Sequence, residues 1–227
     1  MRPHAVHAVI AVKSLDRAKS RLTDRLRPDH RARLVLAMLT DTVTAATAVA
    51  AIGSVTIVTP DPSVAEVARA LGAGVEPEPP EPGSDGLNTA LNAVALRLRQ
   101  EHGPTELLAL QADLPAVRPE ELAGMLSSAP PGLRSVVVDH TGTGSAALVV
   151  RDPYAALDPR FGPGSAHNHV RAGAVTLSGE WPGLRLDVDT AEDLDLATAL
   201  GVGEATGALL RAIGWPGRVH EHVPHVC

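Results

Sequence analysis

The chain has 227 residues, 44% hydrophobic and 20% charged, the balance of a soluble globular protein long enough to bury a sizeable core. Aromatics are only 2% and the net charge is −6, so stacking platforms and a basic stripe are both missing, which argues against a nucleic-acid partner. No apolar stretch reaches the roughly 18 residues of a membrane span, no signal peptide is legible at the N-terminus, and the single cysteine, Cys227, excludes an intramolecular disulfide and suits a reducing cytoplasm.

Residues 5–12 form a near-continuous apolar run, the kind buried on both faces of a parallel sheet. A polar loop follows to about Pro28, and residues 29–50 carry helical periodicity through Leu34, Met38, Val43 and Ala46. Residues 54–59 read as a second strand stopped by Pro60, and 63–71 as a short helix ending at Gly72. Residues 76–86, rich in Pro and Glu, can be neither helix nor central strand and predict a stiff surface loop or flap. Asn88 or Thr89 then caps a helix through Leu91, Val94 and Leu98 to Gly103. Residues 107–110 predict a buried strand, 119–128 a helix, and 135–139 with 145–150 a strand pair around a Gly-rich turn. A late strand over 184–188 and a helix over 190–200, with Thr190 as N-cap, complete the pattern. The β-α-β-α alternation predicts one doubly wound α/β domain over residues 1–210. Residues 211–227 are left as a tail. His220, His222 and His225 are metal-ligand types, but Pro224 and the chain end favour a disordered tail over a closed zinc shell.

Several constellations carry chemistry. Among 20 Lys and Arg residues the only lysines are Lys13 and Lys19, both in the loop after the first strand. That loop is either a solvated turn or a phosphate clamp, for which a compact ammonium is well suited; it is neither a Walker A loop nor a G-x-G-x-x-G turn. Asp113, in Gln111-Ala112-Asp113-Leu114-Pro115, either caps the next helix or offers a hard cation a carboxylate at a strand's carboxyl end. On a strand, Asp187 and Asp189 would share a face and repel unless a cation lay between them. A cap at Asp189 or Thr190 would explain one of these residues but not the pair. Thr141–Ser145 and 160–165 combine glycines with hydroxyls, as anion-binding turns do and plain turns also do.

In order and spacing, Val12-Lys13 through Lys19-Ser20-Arg21-Leu22, Gly86-Leu87-Asn88-Thr89-Ala90-Leu91, Gln111-Ala112-Asp113-Leu114-Pro115, Gly142-Thr143-Gly144-Ser145, Arg160-Phe161-Gly162-Pro163-Gly164-Ser165 and Asp187-Val188-Asp189-Thr190 resemble one family. It is the guanylyltransferase family of coenzyme F-420 (deazaflavin) biosynthesis, which activates 2-phospho-L-lactate or phosphoenolpyruvate with GTP. The resemblance covers roughly residues 5–210. It implies a single-domain, Rossmann-like nucleotidyltransferase fold with a mostly parallel central sheet flanked by helices. The Gly-rich N-terminal loop of the related sugar and molybdopterin nucleotidyltransferases is replaced here by residues 13–22.

The resemblance also implies roles. Asp113, Asp187 and Asp189 match Mg²⁺ ligands and form the catalytic set. Ser145, Gly162 and Ser165 match positions that hold phosphoenolpyruvate, with Ser145 standing where relatives have Thr. Lys13 and Lys19 would meet the GTP phosphates, and the turn at Asn88 would help hold guanosine. The Ala- and Arg-rich composition looks like a high-GC actinobacterium, the branch in which the acceptor is phosphoenolpyruvate. The expected reaction transfers GMP from GTP to that acceptor, giving enolpyruvoyl-2-diphospho-5'-guanosine and pyrophosphate. The alternatives are the same chemistry on 2-phospho-L-lactate or another small phospho-acid, or a non-catalytic nucleotide-binding module; such a module would not need to gather three carboxylates.

Overall fold

The computed structural model describes residues 5–15, 19–78 and 86–216. The first apolar run becomes β1 (Val6–Ala11), held between two parallel neighbours, β2 (Ile52–Val58) and β4 (Glu106–Leu110). Both of its faces are covered, which is why the run is continuous and not alternating. β3 (Gly74–Glu76) extends the sheet beside β2, and β6 (Ser145–Val150), β5 (Arg134–Val138) and β7 (Val175–Thr176) extend it beyond β4. The order is β3-β2-β1-β4-β6-β5-β7, parallel throughout except at β6, which runs antiparallel to both β4 and β5.

Helices cover both faces. α1 (Pro28–Thr47), α2 (Pro62–Ala70), α4 (Pro119–Ser128), α7 (Ala191–Leu200) and α8 (Glu204–Ile213) pack on the side that receives Ala8 and Ile10 of β1. α3 (Gly86–His102) packs on the side that receives Val9. With aromatics scarce, Leu, Val, Ile and Ala fill both layers. α5 (Ser165–Arg171) and α6 (Pro182–Arg185) are short. α1, α2, α4 and α6 each open with proline, whose missing N–H would have had no helical partner there. Among the described residues no helix is long and apolar enough to cross a membrane.

The strand expected over 184–188 does not form. Pro182 starts α6 instead, and the Gly183 N–H donates to Glu121 Oε1 at 2.9 Å in a spot where a Cβ would strike the Ala116 carbonyl. Leu184, Leu186 and Val188 are buried, so the apolar alternation is real, but the segment lies outside the sheet. Asn88 is not a cap, because α3 begins at Gly86. β3 and β7 are too short to have a period. Of the expected flap, residues 79–85 lie outside the described residues, as does the histidine-bearing tail.

α8 was not expected, and it extends helical structure past residue 210 to Ile213. Its first turn is held by a residue far away in sequence. Asp41 of α1, itself buried, accepts from the Ala205 and Thr206 N–H groups at 3.0 and 2.9 Å, supplying the cap that Gly203 cannot. Asp41→Ala should destabilise the fold by about 1–3 kcal/mol. Urea denaturation would measure it, with Asp41→Asn losing less because one acceptor oxygen survives; an unchanged midpoint for the alanine variant would mean that other contacts hold α8.

Candidate active site

Ligands of open α/β sheets bind beyond the carboxyl ends of the strands, where the strand order reverses. Here that place lies between β1 and β4. The loop carrying Lys13 and Lys19 leaves β1, and Gln111-Ala112-Asp113 leaves β4. The Asp113 carbonyl accepts from the Val188 N–H at 3.0 Å, and this one bond draws the 187–189 segment alongside. A cleft of ≈ 450 Å³ opens there, lined by Lys13, Lys19, Arg21, Gln111, Asp113 and Asp189 among others.

Neither Asp113 nor Asp189 caps a helix through its carboxylate. α4 starts at Pro119, well after Asp113. At α7 the Thr190 hydroxyl accepts from the Asp193 N–H at 3.2 Å, and the Asp193 carboxylate returns bonds to the N–H groups of Asp189 and Thr190. The carboxylates of Asp113 and Asp189 are therefore left to the cleft, and that of Asp187, close enough to feel both charges, is buried without lining it. Both Asp187 and Asp189 stand on the irregular segment after α6, not on the strand expected, and Asp189 lines the cleft.

The cation among them is Lys19. Its ammonium donates to Asp113 and, at 2.9 Å, to Asp189 Oδ1, while an Arg21 guanidinium nitrogen lies 3.4 Å from Asp189 Oδ2. Lys19 was expected to meet GTP phosphates directly; here it neutralises two acids. Burial pushes its amine down, but Asp113 and Asp189 outweigh this and hold it above the ordinary lysine value. The backbone at Lys19 is left-handed, φ 51°, a conformation that costs a residue with a Cβ about 1–2 kcal/mol. Lys13 is exposed at the cleft rim.

Asp187 is the strained acid. Burial raises its pKa, the Asp113 charge adds to this, and Asp139 and Asp189 add more, against a single opposing backbone hydrogen bond, so that it reaches about 6. His140 bridges from the side, Nε2 at 3.0 Å from Asp193 Oδ1 and Nδ1 at 3.6 Å from Asp187. Asp113 Oδ1 and Asp187 Oδ1 are buried with no hydrogen-bond donor among the described residues. Among the described residues no group of three His, Cys, Asp or Glu side chains stands there as a finished cage. Orphaned carboxylate oxygens that repel one another are nonetheless the donor set a hard divalent cation takes.

The second set of expected residues gathers apart from this cleft, around the turns at 141–145 and 160–165. Asp139, absent from the sequence reading, accepts from the Thr143 and Gly144 N–H groups at 3.1 and 2.9 Å. Those donors are spent within the turn, so the anion-binding expectation for residues 141–144 does not hold for their backbone. In the 160–165 turn, Phe161 N–H donates to Asn88 Oδ1 at 2.8 Å and Asn88 Nδ2 donates back to the Phe161 carbonyl at 3.0 Å. The buried Asn88 amide therefore holds a loop, a task other than the guanosine contact expected of it. Gly162 and Gly164, both at positive φ (126° and 67°), keep N–H groups that meet no protein acceptor among the described residues. Ser165 follows Gly164 directly, and Ser145 is tied to the same turn through His169; both are buried. A second cavity, ≈ 770 Å³, is lined by Asn88, Arg160, Gly162 and Arg171 among others. His169, also missed, bonds Ser145 and Arg160; a histidine in mid-helix carries no sequence signal for such a role.

The sheet order, the switch-point cleft and its acids define a nucleotidyltransferase. A protein of Desulfovibrio desulfuricans G20 assigned as a nucleotide-diphospho-sugar transferase superposes with TM-score 0.65 at 16% identity, covering 92% of this chain and 95% of that one. A nucleotidyl transferase of Methanothermobacter thermautotroptrophicus gives 0.56 at 18% identity, covering 87% and 98%. The family model described as Guanylyl transferase CofC like matches residues 6–223, and the chain belongs to that family. It is 63% identical over 227 residues, the whole of both chains, to a phosphoenolpyruvate guanylyltransferase of Nocardia farcinica (strain IFM 10152).

An acid held at about 6 has a measurable consequence. Unfolded, the same carboxyl titrates near 3.9. Between these values the folded chain binds the extra proton, so the Asp187 contribution is complete below about pH 4 and is lost as pH rises through about 6. In chelator at pH 7.5, Asp187→Asn should therefore raise stability by about 1–2 kcal/mol, several degrees in Tm, and by less at pH 5. Calorimetry at both pH values checks this; an equal effect at the two would mean that Asp187 is not crowded.

Proposed function

We propose that the chain transfers GMP from GTP to phosphoenolpyruvate, giving enolpyruvoyl-2-diphospho-5'-guanosine and pyrophosphate, in coenzyme F-420 biosynthesis. Full-length 63% identity to a phosphoenolpyruvate guanylyltransferase carries this reading. The single cysteine suits a reducing compartment, and we assign the reaction to the cytoplasm.

The acceptor's phosphate oxygen attacks the α-phosphorus of GTP in line. One P–O bond forms, the bond to the β-phosphate bridge breaks, and pyrophosphate leaves. A phosphate monoester with its second pKa at about 6 is largely dianionic near pH 7, so no side chain need take a proton from it. The work of the protein is then positioning and charge neutralisation. Lys13, Lys19 and Arg21 face the cleft as cations for the GTP phosphates. Gly162, Ser145 and Ser165 hold the acceptor, and Asn88 acts through Phe161 by keeping that loop in place.

Asp113, Asp187 and Asp189 would hold Mg²⁺. Bound there, the ion would neutralise phosphate charge and draw the two substrates together. The two carboxylates that accept from Lys19 are in this set, so the lysine stands beside the place the ion would take and can neutralise phosphate charge there. Orphaned Asp113 Oδ1 and Asp187 Oδ1 support the assignment.

Pyrophosphate release tests the reaction. GTP with phosphoenolpyruvate should far exceed ATP, CTP or UTP, and should exceed GTP with 2-phospho-L-lactate. Equal use of ATP would sink the guanylyl reading, and preference for the lactate would move the chain to the other acceptor. For the metal set, Asp113→Asn and Asp189→Asn should each lower kcat/KM about a thousandfold, equivalent to roughly 4 kcal/mol, with near-native circular dichroism. A variant near wild-type activity would show that its carboxylate only neutralises Lys19.

A further inference from the structure

His169 lies in α5 and is fully buried. Both of its ring nitrogens are engaged. The Arg160 backbone N–H donates to Nε2 at 2.8 Å, and Nδ1 lies 3.0 Å from Ser145 Oγ. A ring nitrogen that accepts an N–H carries no proton, so a neutral His169 has its proton on Nδ1. The surroundings keep it neutral: burial pushes its pKa down to about 4, against the Ser165 carbonyl and Asp158, while Arg134 and Arg160 push the same way as burial. Nδ1–H is therefore the donor on that side, toward Ser145 Oγ and the Ser165 carbonyl, and Nδ1 cannot accept from the serine.

The consequence falls on the serine. Among the described residues, His169 is the only hydrogen-bond partner of the Ser145 hydroxyl. A protonated Nδ1 cannot accept from Oγ, so the hydroxyl hydrogen is free to be donated elsewhere. The opposite tautomer would have Ser145 donate to Nδ1 and present only lone pairs, which an anion repels. The same ring fixes the loop that carries Gly162, through the Arg160 N–H and an edge-on contact with Phe161 at 5.1 Å between centroids. Asn88 clamps the next peptide on both sides.

We propose that His169 is the positioning residue of the acceptor subsite: its tautomer, set by the Arg160 N–H, makes Ser145 a hydrogen-bond donor to the anionic acceptor and ties that hydroxyl to the Gly162 loop. This rests on the assignment of Ser145 and Gly162 to phosphoenolpyruvate made above. A histidine that merely fills the core would support both substrates equally and would not care which nitrogen holds the proton.

Steady-state kinetics with both substrates, on the full chain, separates these. His169→Leu should raise KM for phosphoenolpyruvate on the order of tenfold, the equivalent of one hydrogen bond, and leave KM for GTP unchanged. His169→Asn, whose amide N–H can stand near Nδ1, should recover part of the loss. Ser145→Ala should raise the same KM, and adding His169→Leu to it should do little more, because the two act through one bond. Equal changes in both KM values, or additive effects in the double variant, would overturn the inference. Should His169→Leu not fold, ¹⁵N-histidine NMR of the wild type decides, with the His169 signals assigned by their loss in His169→Asn: protonated Nδ1 and bare Nε2 are expected, and a proton on Nε2 overturns the proposal. A wild type that ignores phosphoenolpyruvate would instead defeat the acceptor reading itself, and this inference with it.

Discussion

The site depends on one constraint: carboxylates of like charge are held together by backbone bonds that do not yield. The Val188 N–H to Asp113 carbonyl bond fixes the approach of two chain segments, and the Thr190–Asp193 capping box fixes the direction of the second. Neither tie involves the carboxylates of Asp113, Asp187 or Asp189, so their repulsion cannot relax by local movement without breaking a cap or a buried peptide bond's partner. Relief has to come from outside. It comes in part from Lys19, on a backbone conformation that a non-glycine residue adopts only under compulsion. It does not reach Asp187, whose pKa stays high. The site therefore remains short of positive charge at Asp187 even after taking up its own lysine.

The fold was legible wherever a segment answers to its own side chains. β1, β2 and β4 are apolar runs, α1 and α3 have a helical period, and Thr190 caps α7 as its sequence neighbours require. Legibility failed where distant groups decide. Residues 184–188 alternate like a strand, yet Glu121 and the Ala116 carbonyl receive Gly183 closely and Pro182 turns the chain into α6. α8 stands on a cap lent by Asp41, 164 residues away. β3 and β7 take their conformation from the sheet edges they join.

The same division runs through the site. Types and spacing marked Asp113, Asp187, Asp189, Lys19 and the glycines, because charge and missing Cβ atoms are written in the letters. Asn88 has the letters of a cap and, by resemblance, of a guanosine-holding turn, but it serves Phe161, and Asp139 takes up donors of the 141–145 turn. Partners of that kind are set by the third dimension. Resemblance supplied what spacing could not, namely the substrates, and nothing in the composition would have chosen guanine.

The two halves of the site answer different chemical problems. Structural relatives below 20% identity share the sheet, so the sheet alone does not specify the reaction. In the reading proposed above, the means on the nucleotide side are long charged side chains, Lys13, Lys19 and Arg21, which neutralise phosphate charge as pyrophosphate leaves. On the acceptor side they are backbone N–H groups at Gly162 and Gly164 and a buried hydroxyl, held by amide and imidazole bonds that leave little freedom. A small acid with a phosphate and a carboxylate offers few atoms to recognise, and fixed donors discriminate among such acids better than mobile charges do. On that proposed reading the rigid half selects the nucleophile, while the charged half accommodates the leaving group.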